Sequence, residues 1–563
     1  MLRENRSQPG ADRAAGPRSS SSRKVIAVAV LGAALLRVAW AIRHGFALDQ
    51  EGVEYCRIAQ NLLAGRGYVG MLDNGTELNF APLYPLMIAA VSLVVGSAAL
   101  AARVIAIAFG SVLVIPMFGI AERLYGRRVA ATVAALVVFH PVLIAGGAST
   151  YAEGPYLTLL MCGLLWWMDW TARPRVRAAA VAGAFLGLAY LVRPEAVVVV
   201  GVLAVAGFVA ARLAFEGRPP LPGIVALAAT FAAVAAPNIV FLTLSTGSLR
   251  IEAKGTVAYQ WGQRIDSGMT YQEAAYAIGQ DLNGRGVYMV PSLQVINAVH
   301  IDPARYLRYL MAAARRSHAE IELTITGEPA LGSPILFVLV VVGLVGRSWD
   351  RRRLALEVTP GAAAVAMVLI LLSVQQLWFR FFYALLGPLL LWAGKGADEL
   401  GEWGSNTAAS VASRAPVARA AGAALKWVAI GLVLVLSIRA VPDLAQFKDS
   451  LFANRVRAGR WLAQQPPRDK SVMDLGNQVA YYAGADLLYL PYATSDVALR
   501  YVAKRKPDYI VLMGAPKAYL PYTAQWFDVG IPDARARLVY DDSTSAEERL
   551  KIYRWAGDSS AMR

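Results

Sequence analysis

Two carboxylates, Asp49 and Glu51, stand a few residues beyond the end of the first long apolar segment. An acid held just outside hydrocarbon can take a proton from a water-borne hydroxyl while a lipid-tethered group lies within reach. Glu54 and Tyr55 follow, and the spacing puts Glu51 and Tyr55 one turn apart on one face of a helix. Four further features set charge or rigid geometry against apolar runs. They are Asn79-Phe80-Ala81-Pro82-Leu83-Tyr84-Pro85, Glu153 in Ser149-Thr150-Tyr151-Ala152-Glu153-Gly154-Pro155, the turn Arg193-Pro194-Glu195, and Arg380 in Leu377-Trp378-Phe379-Arg380-Phe381-Phe382-Tyr383. Arginine can grip a phosphate through paired hydrogen bonds, and a carboxylate can deprotonate an attacking hydroxyl. Each feature also has a structural account: solvated loop charge, an acid favoured at a helix N-terminus, a turn closed by an ion pair, an interfacial anchor. The elements that hold them decide between the two.

Hydrophobic residues make up 57% and charged residues 17% of 563 positions, more apolar surface than a soluble core can bury. The chain therefore reads as an α-helical polytopic membrane protein. Its net charge of +16 is dispersed in short clusters between apolar runs, which points to topology signals and excludes a nucleic-acid partner. Cys56 and Cys162 do not form a disulfide framework, and His44, His140, His300 and His318 lack metal-ligand spacing. No phosphate-cradling glycine-rich loop is present, which argues against a nucleotide donor.

A span needs roughly 20 apolar residues, or about 17 with snorkelling ends. On that ruler about eleven transmembrane helices are expected, near 25–43, 98–121, 128–146, 153–171, 178–192, 195–213, 221–245, 331–346, 358–374, 380–395 and 424–441. The basic clusters Arg23/Lys24, Arg123/Arg127/Arg128, Arg173/Arg175/Arg177, Arg212/Arg218, Arg347/Arg351/Arg352/Arg353 and Arg414/Arg419/Lys426 fall in every second gap. Those gaps are expected in the cytoplasm. Residues 1–24 are expected as a disordered cytoplasmic tail and 25–441 as the transmembrane domain, with outer loops 44–97 and 246–330. Within the first loop an amphipathic helix should lie along the surface, and Leu83–Val95, opening with Pro82 and Pro85, should form an interfacial helix or a lead-in to the second span. Residues 442–563 are expected as an extracytoplasmic α/β domain, with strand-like runs at 471–475, 487–490, 509–513 and 538–540 and helical patterns near 450–464 and 495–505. Asp49, Glu51, Tyr55, Tyr84, Glu153, Arg193 and Arg380 then share the outer face.

With these residues in order, the chain resembles the polyprenyl-phosphate-sugar glycosyltransferases of the C-type fold, a superfamily that includes protein O-mannosyltransferases and lipid A aminoarabinose transferases. The resemblance lies in Asp49-Gln-Glu51-Gly-Val-Glu-Tyr55 through Tyr68, Ala81-Pro-Leu-Tyr-Pro85, Leu124-Tyr-Gly-Arg-Arg128, Ala152-Glu153-Gly-Pro155-Tyr156, Leu191-Val-Arg193-Pro194-Glu195 and Arg380-Phe-Phe-Tyr383. It implies an inverting transfer of a monosaccharide from a polyprenyl-phosphate donor to a hydroxyl of a protein, lipid or polysaccharide on the outer face. The acid of the first outer loop would be the general base. Alignment on Tyr55 and Ala59 puts that acid at Glu51, alignment on the acidic pair puts it at Asp49, and Glu51 is favoured. Glu153 matches the family's second acidic position, Arg380 a basic position for the phosphate, and Arg193, Tyr84 and Tyr55 are further substrate-binding candidates. No cofactor is assigned, and the resemblance leaves a divalent metal open.

The localisation expected is the plasma membrane, with a cytoplasmic N-terminus. Two other classes fit charges in a polar cavity: a transporter or lipid flippase, and a nonenzymatic membrane scaffold. A transporter should show broken helices in paired halves, which the sequence lacks. A scaffold has no need of acids at both Asp49/Glu51 and Glu153.

Overall fold

The computed structural model describes residues 20–44, 48–72, 75–214, 220–277, 304, 307–308, 311–312, 333–346, 348–373, 382–411, 415–438, 449–514, 520–542 and 549–556. Most of them are helical. Five helices are long and apolar enough to cross a membrane: Ser20–Arg43, Ala98–Tyr125, Leu221–Thr246, Arg353–Leu371 and Ala415–Ser437. Leu83–Val95, Val176–Val192, Ala196–Ala210 and Pro334–Val345 are shorter apolar helices. Two of the expected spans are interrupted chemically. Glu153–Ala172 carries Glu153 and Asp169, and Leu386–Val411 carries Lys395, Asp398 and Glu399.

In chain order the first helices are α1 (Ser20–His44), α2 (Gln50–Leu63), α3 (Leu83–Val95), α4 (Ala98–Val112), α5 (Val114–Tyr125), α6 (Arg127–Phe139), α7 (Pro141–Gly146), α8 (Glu153–Ala172), α9 (Val176–Val192), α10 (Ala196–Ala214), α11 (Leu221–Thr246), α12 (Lys254–Asp266) and α13 (Tyr271–Tyr276). Helix α8 packs on α4, α5 and α9, and α9 packs on α11. The charge that interrupts α1, Arg37, is fully buried, donates to the Ala33 carbonyl at 3.1 Å, and lies along Gly110 and Gly147.

The later helices depart from the expected boundaries. The segment expected at 380–395 runs as Leu386–Val411, and the one expected at 424–441 runs as Ala415–Ser437. Arg419 and Lys426 therefore lie on a helix rather than in a connecting loop. Lys426 turns inward to Asp398 at 2.9 Å, which also receives Arg128 at 2.9 Å. Pairing lets the Leu386–Val411 helix bury Lys395, Asp398 and Glu399 along its length. Arg123 grips Asp169 through two hydrogen bonds of 2.6 and 3.0 Å, and Arg353 meets Glu357 at 2.7 Å, which also accepts from the Trp392 indole at 3.0 Å. Asp169 lies near the end of α8 far from Glu153, so these pairs fasten the opposite end of the bundle from Asp49 and Glu51.

After the helices comes a five-stranded sheet of order β2-β1-β3-β5-β4. Its strands are β1 (Ser471–Asp474), β2 (Asp486–Tyr489), β3 (Tyr509–Met513), β4 (Ala536–Asp542) and β5 (Leu550–Trp555). β1 pairs in parallel with β2 and β3, whereas β5 runs antiparallel to β3 and β4. Helices Asp449–Ala463, Gln478–Ala483, Ser495–Arg505 and Thr523–Val529 accompany the strands. The outer strand β2 is not a bare edge: Leu487 N–H donates to the Met71 carbonyl at 2.8 Å, so the loop after α2 continues the sheet.

Two helix backbones touch where Pro334–Val345 crosses Leu386–Val411. A Cβ at Gly396 would run into the Leu339 carbonyl, and one at Gly343 into the Trp392 carbonyl. Small residues permit such approach between membrane helices. Gly396→Ala is expected to destabilise the solubilised protein by about 2 kcal/mol through overpacking. Gly361→Ala, at a helical site with open space beside it, should be neutral or slightly stabilising; thermal unfolding of the two variants compares them directly.

Candidate active site

Helix α2 starts where it does because Asp49 caps it. Asp49 is extended, and its Oδ1 accepts from Gly52 N–H, satisfying a donor that the first turn leaves free. Its Oδ2 accepts from Thr150 N–H at 3.1 Å and from the Thr150 hydroxyl. A Cβ at Gly52 would fall on Thr150 Oγ1, so the glycine lets the two segments meet. Burial pushes the Asp49 carboxyl up to about 6, against its hydrogen bonds from Thr150 and Gly52 and the nearby charge of Arg103.

The same short segment before α8 is held from two more sides. Arg103, inside α4, donates to the Ala148 carbonyl at 2.6 Å, and the buried Tyr84 hydroxyl donates to the Thr150 carbonyl at 3.0 Å. These bonds fix the start of α8, whose first residue is Glu153. Arg193, at the end of α9, then bridges Glu153 at 2.8 Å and Glu195 at 2.9 Å, with its guanidinium 5.9 Å from the Tyr156 ring centre.

Glu51 lies on the next face of α2, with Lys254 at the start of α12 at 3.4 Å. Arg193 feels the charge of Glu51 as well as those of Glu195 and Glu153. The side chains of Lys254, Glu195 and Glu51 are 30%, 24% and 15% exposed, against 10% for Arg193, so the cluster is half-open to solvent around the buried guanidinium. Tyr55 forms an aromatic wall behind it, edge-on to Phe80 and Tyr84 at 4.9 and 4.8 Å. Lys254 sits 5.8 Å from the Phe80 ring centre. Glu54 turns away, accepting from Met71 N–H at 3.3 Å and from Asn477 Nδ2 at 3.2 Å. Burial, then the charge of Glu77, pushes its carboxyl up to about 7.

The structure thus gathers Asp49, Glu51, Tyr55, Tyr84, Glu153 and Arg193 in one region. Arg380 lies outside the described residues. Tyr383, three positions later, is buried with its ring against Gly146. Tyr259 and Tyr276 are buried, and half-buried Trp261 packs edge-on to Tyr271 at 5.9 Å. Among the described residues no group of three His, Cys, Asp or Glu side chains is placed to hold a metal ion. Sequence reasoning missed Lys254, Thr150 and Arg103 as site residues. An arginine inside an apolar run is a signal that was open to reading, whereas a lone lysine in a polar loop 203 positions from Glu51 carries none.

Residues 79–241 match the family described as dolichyl-phosphate-mannose-protein mannosyltransferase. Among solved structures, the chain is similar to the oligosaccharyltransferase of Archaeoglobus fulgidus in its apo form, with 14% identity and a TM-score of 0.55 over 88% of this chain and 70% of that one. It is similar to ArnT from Cupriavidus metallidurans bound to undecaprenyl phosphate, with 13% identity and a TM-score of 0.53 over 95% of this chain and 98% of that one. The chain shares the fold of these membrane glycosyltransferases. The archaeal enzyme has also been solved as AglB in complex with an inhibitory peptide and a dolichol-phosphate, at 12% identity and a TM-score of 0.54 over 87% of this chain and 69% of that one. No curated protein sequence matches the chain.

The two raised carboxyls near the site give a pH dependence with a definite sign. Folded Asp49 and Glu54 hold their protons to about pH 6 and 7, whereas unfolded acids release theirs near pH 4. Their contribution to stability is therefore full below about pH 4 and is lost as pH rises towards 7. Glu54→Gln should unfold like the wild type at pH 4.5 and be more stable at pH 7.5, by on the order of 3 kcal/mol. Melting curves at the two pH values make the comparison, and equal wild-type and variant curves at pH 7.5 would show that Glu54 titrates normally.

Proposed function

We propose that this glycosyltransferase moves a monosaccharide from a polyprenyl phosphate to a hydroxyl of a protein, lipid or polysaccharide, with inversion and with Glu51 as general base. The observation that carries the assignment is the difference between the two acids. Both oxygens of Asp49 are engaged by Gly52 and Thr150, and the residue is buried. Glu51 is partly exposed, beside Lys254 and within the field of Arg193.

In this reading Glu51 takes the proton of the acceptor hydroxyl as that oxygen forms its bond to the anomeric carbon. The bond from the anomeric carbon to the phosphate oxygen breaks on the opposite face, and its electron pair leaves with the lipid phosphate. Lys254 releases Glu51 and follows the negative charge to the phosphate, together with Arg380. Arg193 is committed to Glu153 and Glu195, so its role is to tie α8 to α9 beneath the substrate. Half-buried Phe80 offers its ring to a sugar, and buried Tyr55 and Tyr84 pack behind it.

The site and residues 442–563 are assigned to the outer face of the plasma membrane, and the N-terminus to the cytoplasm, from the alternating basic clusters. Residues 25–441 form the transferase domain in this assignment. The solved relatives with undecaprenyl phosphate and with dolichol-phosphate and peptide support a lipid-phosphate donor and a macromolecular acceptor.

Purified enzyme, incubated with a panel of polyprenyl-phosphate sugars, should be stabilised by its own donor, since ligand bound to the folded state raises the melting point by mass action. With that donor, Glu51→Gln should lower kcat by about 10³-fold or more without lowering the melting point. Asp49→Asn should cost about 10²-fold through misplacement of Glu51 and also destabilise the fold. Full turnover by Glu51→Gln would remove Glu51 as the base.

Lys254→Met should raise the donor KM about tenfold, from loss of one charge-assisted contact of roughly 1.5 kcal/mol. Steady-state kinetics with varied donor decides this, and an unchanged KM would exclude Lys254 from the phosphate site.

A further inference from the structure

One face of α2 is fastened along its length to the C-terminal α/β segment. Asn477 Nδ2 donates to the Gln50 carbonyl at 2.6 Å and to Glu54 Oε1 at 3.2 Å. One turn on, Arg57 donates to the Tyr481 carbonyl at 3.3 Å and lies over its ring at 5.6 Å. Gln60 donates to the Tyr481 hydroxyl at 3.2 Å, and the Tyr482 hydroxyl receives Leu48 N–H at 3.3 Å. Positions 50, 54 and 57 share one helical face, and Glu51 stands about 100° round from Gln50.

The same part of the chain also holds the other half of the site. Beyond the edge strand β2, Tyr492 N–H donates to the Tyr276 carbonyl at 2.8 Å, and Tyr276 packs edge-on to Tyr489 at 5.7 Å. Tyr276 ends α13, which packs on α12, the helix that begins with Lys254. β2 itself receives the Met71 carbonyl from the loop after α2. Glu51 and Lys254, 203 positions apart, are thus both registered on one sheet edge and the helix beside it.

We propose that the C-terminal α/β segment is a positioning clamp for the Glu51–Lys254 pair, with Asn477 as the residue that sets the rotation of α2. The proposal rests on Glu51 acting as the base. A carboxylate about 6 Å from a helix axis moves about 1 Å for each 10° of rotation, and a 1 Å misplacement can cost about 10²-fold in rate. Asn477 is buried and touches neither face of the open pair, so its effect passes through Gln50 and Glu54.

The test uses the full-length purified enzyme. Asn477→Ala should lower kcat by 10- to 100-fold with the donor KM within about twofold, and should speed amide hydrogen exchange at residues 54–57. Ser495→Ala is the comparison: it removes the bond from the Trp526 indole at 2.9 Å within the same segment without touching α2. It should lower the melting point while leaving kcat and exchange at 54–57 as in the wild type. If Asn477→Ala does not accumulate folded, Tyr481→Phe, which loses only the hydroxyl that meets Gln60, should still speed exchange at the end of α2 and lower kcat two- to fivefold. Exchange and kcat matching Ser495→Ala would overturn the clamp. Exchange needs no turnover, so faster exchange in a protein whose wild type transfers no sugar would sink the proposed activity and leave the clamp standing.

Discussion

The arrangement around the starts of α2 and α8 depends on one buried carboxylate. Asp49 joins two segments 101 positions apart by accepting from Gly52 at the start of α2 and from Thr150 just before α8. A carboxylate removed from water needs its lone pairs satisfied, and here the satisfaction is structural: each bond fixes a helix start. Moving Asp49 would free the first turn of α2, which carries Glu51, and the start of α8, which carries Glu153. Arg103 and Tyr84 hold the same segment through its carbonyls, so the backbone before α8 is gripped by a carboxylate at its amide and by two donors at its oxygens.

Ion pairs at the two ends of the bundle do different things. Far from Asp49, Lys395 with Glu399 and Lys426 with Asp398 are buried pairs, no side chain more than 9% exposed. Such pairs add little net stability over an apolar contact, yet breaking one leaves a charge in a low-dielectric interior. They specify which helix faces meet. Near Asp49, Lys254 and Glu51 form a half-exposed pair at 3.4 Å, the kind that water weakens and that contributes little to stability.

Much of the scaffold was legible because periodicity and punctuation are local signals. The runs at 471–475, 487–490, 509–513 and 538–540 overlap the strands β1 to β4, and Gln50 starts a helix early enough to place Glu51 and Tyr55 on it. β5, Leu-Lys-Ile-Tyr-Arg-Trp, alternates with charges that hide its apolar face, and it was not expected. Helix ends failed where tertiary pairing overrode hydropathy, as at Lys395, Asp398 and Glu399, which are polar in sequence and buried in the bundle. The acids and Arg193 stand out in the sequence because charge beside hydrocarbon is conspicuous. Lys254 and Asn477 were not, since an exposed lysine and a loop asparagine acquire meaning only from what the fold brings to them.

The charge balance of the cluster bears on how the proposed reaction would run. Among the described residues, Glu51, Glu153, Glu195 and Glu252 act on Arg193 and Lys254, so carboxylates outnumber cations. An anionic donor entering such a site needs a further positive charge, and Arg380 is the residue the sequence offers on that side. During transfer Glu51 gains a proton while the departing phosphate gains a negative charge, so the total is unchanged and the charge only moves. A guanidinium locked between two carboxylates, like that of Arg193, cannot follow such a movement. The compact ammonium of Lys254, on a flexible stem and already beside Glu51, can.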